Sequence, residues 1–360
     1  MNKGFVDAHI HLWEFCLFSF FANLEGVGTG EELVAALRAR PVEGWHVGVR
    51  FNQESLEEKV LPDTAFLDRA FGKRPAIIFR TCLHLVVMNT AAMEALGRYA
   101  PNGIFLEADV FAIVNEIAAR LVPEPAFIVK RGLAELEKHG IARAIDMAMD
   151  LAKRRNFERV DYYTTDFRLL DEALGFKIFL DGSLGARTAA LTEEYADDPG
   201  NYGRLNYSDA ELLALVEKVH KAGKPVACHA IGDRAVDQFL RVIARSRHPK
   251  DRLEHAQCLR PDQIEVLAEK QVAVCIQPIF SRELPWAARR LGPRRLATSY
   301  AWGLLLEKGV RLLAGSDAPV DHVSPLAAAE AAVSQEGPHH LSRAQVLDLF
   351  GRANREFCDR

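Results

Sequence analysis

Short apolar runs with strand character recur along the chain, and stretches with helical spacing separate them. The runs fall at residues 5–11, 141–147, 159–163, 176–180, 225–229, 252–255, 272–277 and 310–315. Apolar residues three and four apart mark helices at 209–222, 235–246 and 261–270. Ser208 stands as a cap ahead of the first of these, and Gly223 lies just past its end. Strand and helix alternating in this way predict an α/β fold with a parallel sheet covered by helices. Eight such strands would close a (β/α)8 TIM barrel.

Residues 12–139 are too many for one loop. They read as an insertion after barrel strand one, within a single barrel domain spanning 1–360. The insertion holds two further strand-like runs, at 46–51 and 76–81, and helical segments around 106–121 and 130–139. Insertions after barrel strands lie at the catalytic face, so this one is expected to form a lid or a specificity wall. No internal repeat or low-complexity tract is visible.

Composition narrows the function. At 360 residues the chain exceeds the ~250 that a barrel of this kind typically needs. A net charge of -4 offers no electrostatic footprint for nucleic acid, and the short basic clusters at 153–155 and 289–290 read as solvated helix faces. The six cysteines are scattered with no Cys-x-x-Cys pair, which argues against a thiolate zinc knuckle and suits reduced thiols in the cytoplasm. The apolar run at 15–21 follows two histidines and an acid, lacks a signal cleavage site and is too short to span a bilayer. It reads as a buried helix face, and no membrane partner is expected.

Polar residues mark the strand ends. In the first strand Asp7, His9 and His11 are spaced two apart, so alternation places them on one face. Two imidazoles side by side on a strand are a ready pair of metal ligands, although two satisfied histidines would read the same way. Lys177 followed by Asp181-Gly182-Ser183 marks strand four, Cys228-His229-Ala230 strand five, Glu254-His255-Ala256 strand six and Gly315-Ser316-Asp317 strand eight. So many charged groups at strand ends are costly to bury without a shared purpose. Cys228 alternates away from His229 and reads as packed. His322 reads as loop, and His46, His139, His220, His248, His339 and His340 as surface or satisfied core.

These stretches carry a resemblance. Gly4-Phe5-Val6-Asp7-Ala8-His9-Ile10-His11, the run from Lys177 through Asp181-Gly182-Ser183 to Leu191, His229-Ala230-Ile231-Gly232-Asp233-Arg234-Ala235-Val236, Glu254-His255-Ala256-Gln257 and Gly315-Ser316-Asp317-Ala318-Pro319 occur in family order. The chain resembles the amidohydrolase superfamily and, within it, amidohydrolase family 3, the YtcJ-like metal-dependent hydrolases. A weaker match runs from Leu83-His84 through Asn89-Thr90-Ala91-Ala92-Met93. The resemblance implies that His9, His11 and Asp317 hold one divalent metal and His229 and His255 a second. It implies a carboxylated Lys177 bridging the two, since a carbamate supplies the anionic oxygen that an ammonium lacks. The alternative for Lys177 is a cation that anchors substrate beside a single metal. Zinc suits the imidazole-rich set, and Mn, Fe or Co would also fit.

The reaction so implied is hydrolysis of a non-peptide C–N bond in a small molecule. The metals, ~3.5–4 Å apart, would share a hydroxide, and Asp317 would move the proton as general acid and base. His84, Arg187 and Gln277 are candidates for substrate contact, and Asp7 for orienting a ligand histidine or closing a strand end. Phe280 and Trp286 read as pocket lining or plain packing. Most relatives flank the barrel with a β-sandwich, for which this sequence is expected to lack the strands. Homo-oligomerisation stays open. Competing readings are an ester, lactone or phosphoester hydrolase, a metal-bound binding protein without chemistry, and a barrel enzyme for isomerisation or decarboxylation.

Overall fold

A computed structural model describes residues 4–81, 84–122 and 124–359. The chain forms two compact units. One takes Leu12 and the residues before it, Glu135–Ala318 and the residues from His322 onward; the other takes Trp13–Ala134 with Pro319–Asp321. Among the described residues no helix is long and apolar enough to cross a membrane.

The strands in chain order are β1 (Phe5–Ile10), β2 (Ala22–Asn23), β3 (His46–Phe51), β4 (Ala76–Arg80), β5 (Leu85–Met88), β6 (Ile104–Leu106), β7 (Ile141–Met149), β8 (Asp161–Thr164), β9 (Gly175–Phe179), β10 (Val226–Ala230), β11 (Arg252–His255), β12 (Ala273–Ile276) and β13 (Arg311–Ala314). The first unit is an eight-stranded sheet in the order β1-β7-β8-β9-β10-β11-β12-β13. Every neighbouring pair in it is parallel. Each run expected from the sequence for the barrel lies on one of these strands.

Left open, β1 and β13 would each present a row of unpaired backbone groups. The structure closes them on each other. Asp317 N donates to His9 O at 2.8 Å, and His11 N to Ala318 O at 2.9 Å. Further down, the buried Asn354 amide donates to Val6 O and to Ala314 O, both at 2.7 Å, and accepts from Ala314 N at 3.1 Å. Asn354 opens the last helix, Asn354–Cys358, after a π-helical turn at Leu349–Ala353. That turn splits the single helix expected over 343–357. Below the site, Ala8, Ile145, Met147, Tyr163, Cys275 and Leu313 pack with Phe357 of the last helix into an apolar core.

Helices cover the later strands as their caps predict. Ser208 and Glu211 form a reciprocal capping box ahead of Asp209–Lys221. Asp233–Ile243 and Pro261–Glu269 follow β10 and β11. Between β7 and β9 the connections hold only the short helix Leu151–Arg154 and a single turn at Phe167–Leu169.

The second unit is a five-stranded sheet, β2-β3-β4-β5-β6, parallel up to β4 and antiparallel beyond. Its core gathers Leu24, Leu33, Leu37, Phe51, Leu67, Ile78 and Val87. The helices Gly30–Ala39, Thr64–Phe71 and Thr90–Leu96 are capped by Thr29, Asp63 and Asn89. The helix expected around 106–121 starts at Ala108, because Leu106 ends β6 and Glu107 turns the chain at φ 54. Cys82 and Leu83, the latter in the weaker sequence match, lie outside the described residues.

Candidate metal centre

The site grows from the seam between β1 and β13. Gly315 has no side chain where a Cβ would strike His9, so the two strand ends press together. Past it, Asp317 takes a left-handed φ of 56, uncommon for a residue with a side chain. The result is a carboxylate aimed at the first strand. Asp317 Oδ1 lies 3.1 Å from His9 Nε2 and 3.2 Å from His11 Nε2. His11 stands one residue beyond β1, whose pairing register slips between Asp7 and Ile10. Its ring nevertheless reaches the same carboxylate as that of His9, and its backbone N–H donates to Ala318 O.

On β11, Glu254 and His255 are consecutive, and both serve the centre. The Glu254 carboxylate meets His9 Nδ1 at 2.5 Å. His255 takes φ 70, and this left-handed turn at the strand end accompanies the break in alternation. The His255 ring centroid lies 4.8 Å from that of His9 and 4.5 Å from that of His229. Ligand atoms of His9, His255 and Asp317 all fall within 4.8 Å of one another.

The partners behind the rings assign their tautomers. Carboxylate and carbonyl oxygens only accept, so the nitrogen facing them carries the proton. His9 Nδ1 faces Glu254. His255 Nδ1 faces Gln277 Oε1 at 2.8 Å, and Gln277 Nε2 contacts Cys275 O at 3.4 Å, which fixes the amide orientation. His229 Nε2 faces Gly182 O at 3.0 Å. The opposite nitrogens of His9 and His255 then keep their lone pairs; the 3.1 Å approach of His9 Nε2 to Asp317 Oδ1 is not an aligned hydrogen bond among the described residues.

Electrostatics agree with a site built for a cation. Burial pushes the Asp317 carboxyl up, but the His9, His11 and His255 rings more than reverse this and hold it well below the usual carboxylate range. Glu254 is likewise held low, by the Arg252 guanidinium and His9 against the cost of burial. Burial drives His255 down to about 3 and pulls the Lys177 ammonium down, against the attraction of Glu254 and Asp317. Lys177 Nζ sits 4.9 Å from the Phe179 ring centroid. His9 Nε2, His11 Nδ1, Lys177 Nζ and Asp317 Oδ1 are buried with no aligned hydrogen-bond partner among the described residues. Orphaned buried polar atoms are rare and call for a ligand, water or ion. Imidazoles and a carboxylate are donors that divalent metals accept.

The two long motifs are knitted to each other. Asp181 Oδ1 accepts from Ile231 N at 3.0 Å, and Oδ2 from Gly232 N at 2.8 Å and Ala190 N at 2.9 Å. A Cβ on Gly232 would fall 2.0 Å from Ala190 O, so glycine is required at this crossing.

Other expected residues have definite places. Asp7 accepts from the backbone N–H of His9 at 3.1 Å and of Ser316 at 3.0 Å, closing the strand ends, and burial raises its carboxyl to about 6. Gln277 is behind His255. Arg187 pairs with Asp197 at 3.1 Å, and Asp197 also pairs with the buried Arg290. His84 belongs to the second unit, where its ring meets Glu107 at 2.6 Å. Cys228 is fully buried, and burial pushes its thiol up. Phe280 is buried and Trp286 half-buried.

Sequence reading quoted Glu254 only as part of a motif and passed over Arg252. Arg252 is fully buried, binds the other oxygen of Glu254, donates to Ala8 O at 2.7 Å and lies over the Tyr163 ring at 4.9 Å. A signal was present: opposite charges two apart in a short buried strand share one face.

Comparison with known proteins matches this arrangement to a family. The YtcJ protein of Bacillus subtilis (strain 168), which bears the name amidohydrolase, is 29% identical over 396 residues, covering 94% of this chain and 74% of its own. The Arabidopsis thaliana protein LONG AFTER FAR-RED 3 is 26% identical over 405 residues, covering 93% of this chain and 68% of its own. A solved structure of an uncharacterized metal-dependent hydrolase from Pyrococcus furiosus superposes with a TM-score of 0.77 at 26% identity, covering 99% of this chain and 82% of that one. The model of the amidohydrolase family matches residues 4–354. The chain belongs to the amidohydrolase family.

Proposed function

We propose that the chain is a metal-dependent hydrolase of a small molecule with a non-peptide C–N bond, an amide or cyclic amide. One observation carries this reading: among the described residues His9 Nε2, His11 Nδ1, Lys177 Nζ and Asp317 Oδ1 are buried with no aligned hydrogen-bond partner. The solved relative described as a metal-dependent hydrolase supports it. His9, His11 and Asp317 would hold one divalent ion, and His229 and His255 a second, with zinc the first choice and Mn, Fe or Co also suited. Bound there, the metals supply Lewis acidity and an acidified water.

The chain's own residues do the rest. Asp317, held ionised among three imidazoles, takes the proton of the attacking water and returns it to the leaving nitrogen. Lys177, buried and with no aligned hydrogen-bond partner among the described residues, would add carbon dioxide at Nζ; an N–C bond would form, a proton would leave, and the carbamate would supply anionic oxygen to the metals. Glu254, Gln277 and Gly182 O hold the three rings in the tautomers that ligation needs. Arg187 is the proposed substrate contact.

Intact native mass with metal analysis tests the centre: two metals and one added carbon dioxide per chain are expected. A panel of amides, cyclic amides, esters, lactones and phosphoesters tests the bond class. Asp317→Asn and His229→Ala should each abolish turnover, and full activity in either would sink the assignment.

A further inference from the structure

The three rings with assigned tautomers do not have equivalent partners behind them. His9 Nδ1 faces a carboxylate, Glu254, at 2.5 Å. His255 Nδ1 faces a neutral amide, Gln277, at 2.8 Å. His229 Nε2 faces the backbone carbonyl of Gly182 at 3.0 Å. A carboxylate behind an imidazole orients it and raises its basicity. Asp181 Oδ1 also lies near His229 Nε2, but at 3.5 Å against the 2.5 Å contact of Glu254 with His9, and it already accepts from Ile231 N.

Glu254 cannot swing away from His9. Arg252 binds its other oxygen, and Arg252 is itself held by Ala8 O at 2.7 Å and by the Tyr163 ring. The donor sets differ in the same direction. His9 and His11 each bring Nε2 within 3.2 Å of the same Asp317 oxygen. His229 and His255 bring two imidazoles without a carboxylate of their own to the set, and their attraction for a cation is correspondingly smaller.

We infer that the two halves of this centre bind metal unequally: the His9–His11–Asp317 half is the tight one, with Arg252 and Glu254 as its positioning residues, and the His229–His255 half is the exchangeable one. The inference rests on the metal-centre reading above.

The test loads the purified protein with zinc, removes the excess, and counts zinc per chain after dialysis against rising chelator. Metal should leave in two steps, the last needing at least about ten times more chelator. His229→Ala should keep the resistant metal and His11→Ala should lose it. Glu254→Gln should move the resistant step by about 10–100-fold and leave the early step in place, a selectivity that general unfolding would not give. Cobalt(II) titration adds a signature: only the spectrum of the first equivalent should change in Glu254→Gln. Should that variant fail to fold, Arg252→Gln/Glu254→Gln removes both charges together and is read in the same way.

Survival of the resistant metal in His11→Ala with its loss in His229→Ala would overturn the inference, as would an unmoved resistant step in Glu254→Gln. A wild-type chain carrying one zinc refutes the two-metal reading alone; the same His11 and His229 variants then decide the inference by where that ion sits. A chain that binds no zinc, cobalt or manganese refutes both.

Discussion

Gly315 and His9 meet so closely that a Cβ on Gly315 would fall 2.3 Å from the Cβ of His9 and 2.7 Å from its backbone nitrogen. Carbon atoms in favourable contact sit about 3.5–4 Å apart. The first strand therefore owes its position to a missing side chain just past the last. Gly315→Ala should cost about 1–3 kcal/mol of stability through overpacking and displace His9. Urea denaturation and metal counts on the same sample check this; a variant with wild-type metal content would show that the seam yields elsewhere.

Asn354 should be the most sensitive residue of the seam outside the site. Its amide serves Val6 O, Ala314 O and Ala314 N at once, all buried. Asn354→Ala leaves buried groups unsatisfied, each at about 1–3 kcal/mol. Asn354→Asp should not rescue, because two of the three partners are carbonyls that need a donor. Chemical denaturation of the three proteins orders them.

Acid should destabilise the metal-free protein partly through Glu254. Its folded carboxyl is held below the ordinary value, about 4.3 for a free Glu. As pH falls through that value the unfolded chain takes up a proton that the folded chain refuses. Stability is thus present above it and lost progressively below it. Glu254→Gln, also metal-free, should show a flatter fall in stability between pH 5 and 3, measured by denaturation at each pH. An unchanged slope would mean that the carboxylate is not ionised in the fold.

Gln277 should matter through His255. Gln277→Leu leaves His255 Nδ1 without its 2.8 Å partner, and the ring is then free to flip. Metal retention in the half shared with His229 should fall about tenfold, while the His9 half keeps its metal. Equal loss from both halves would assign Gln277 a general packing role.

Much of the fold was legible because strand and helix signals are local. Each barrel strand carries its own apolar run, and Ser208, Gly223 and the alternating pattern around them are readable within a turn or two. The strands β2, β5 and β6 were not read. They hold two to four residues each, too few to show a period, and Leu85-Val86-Val87-Met88 is apolar throughout. The kinds of site residue were legible for the same reason: histidine, lysine and aspartate at strand ends contradict their surroundings. Arg252 was missed because its neighbours in space, Ala8 and Tyr163, lie far from it in the chain.

Sequence by itself determined which donors exist, their order along the chain and the strands that carry them. Tertiary structure alone decided what stands behind each ring. His9 and Glu254 are 245 residues apart, and Asn354 and Val6 are 348 apart. Periodicity tells which face a side chain takes. A hydrogen bond depends on a few tenths of an ångström and on direction, and those are set only when the sheet closes on itself and brings distant strand ends together.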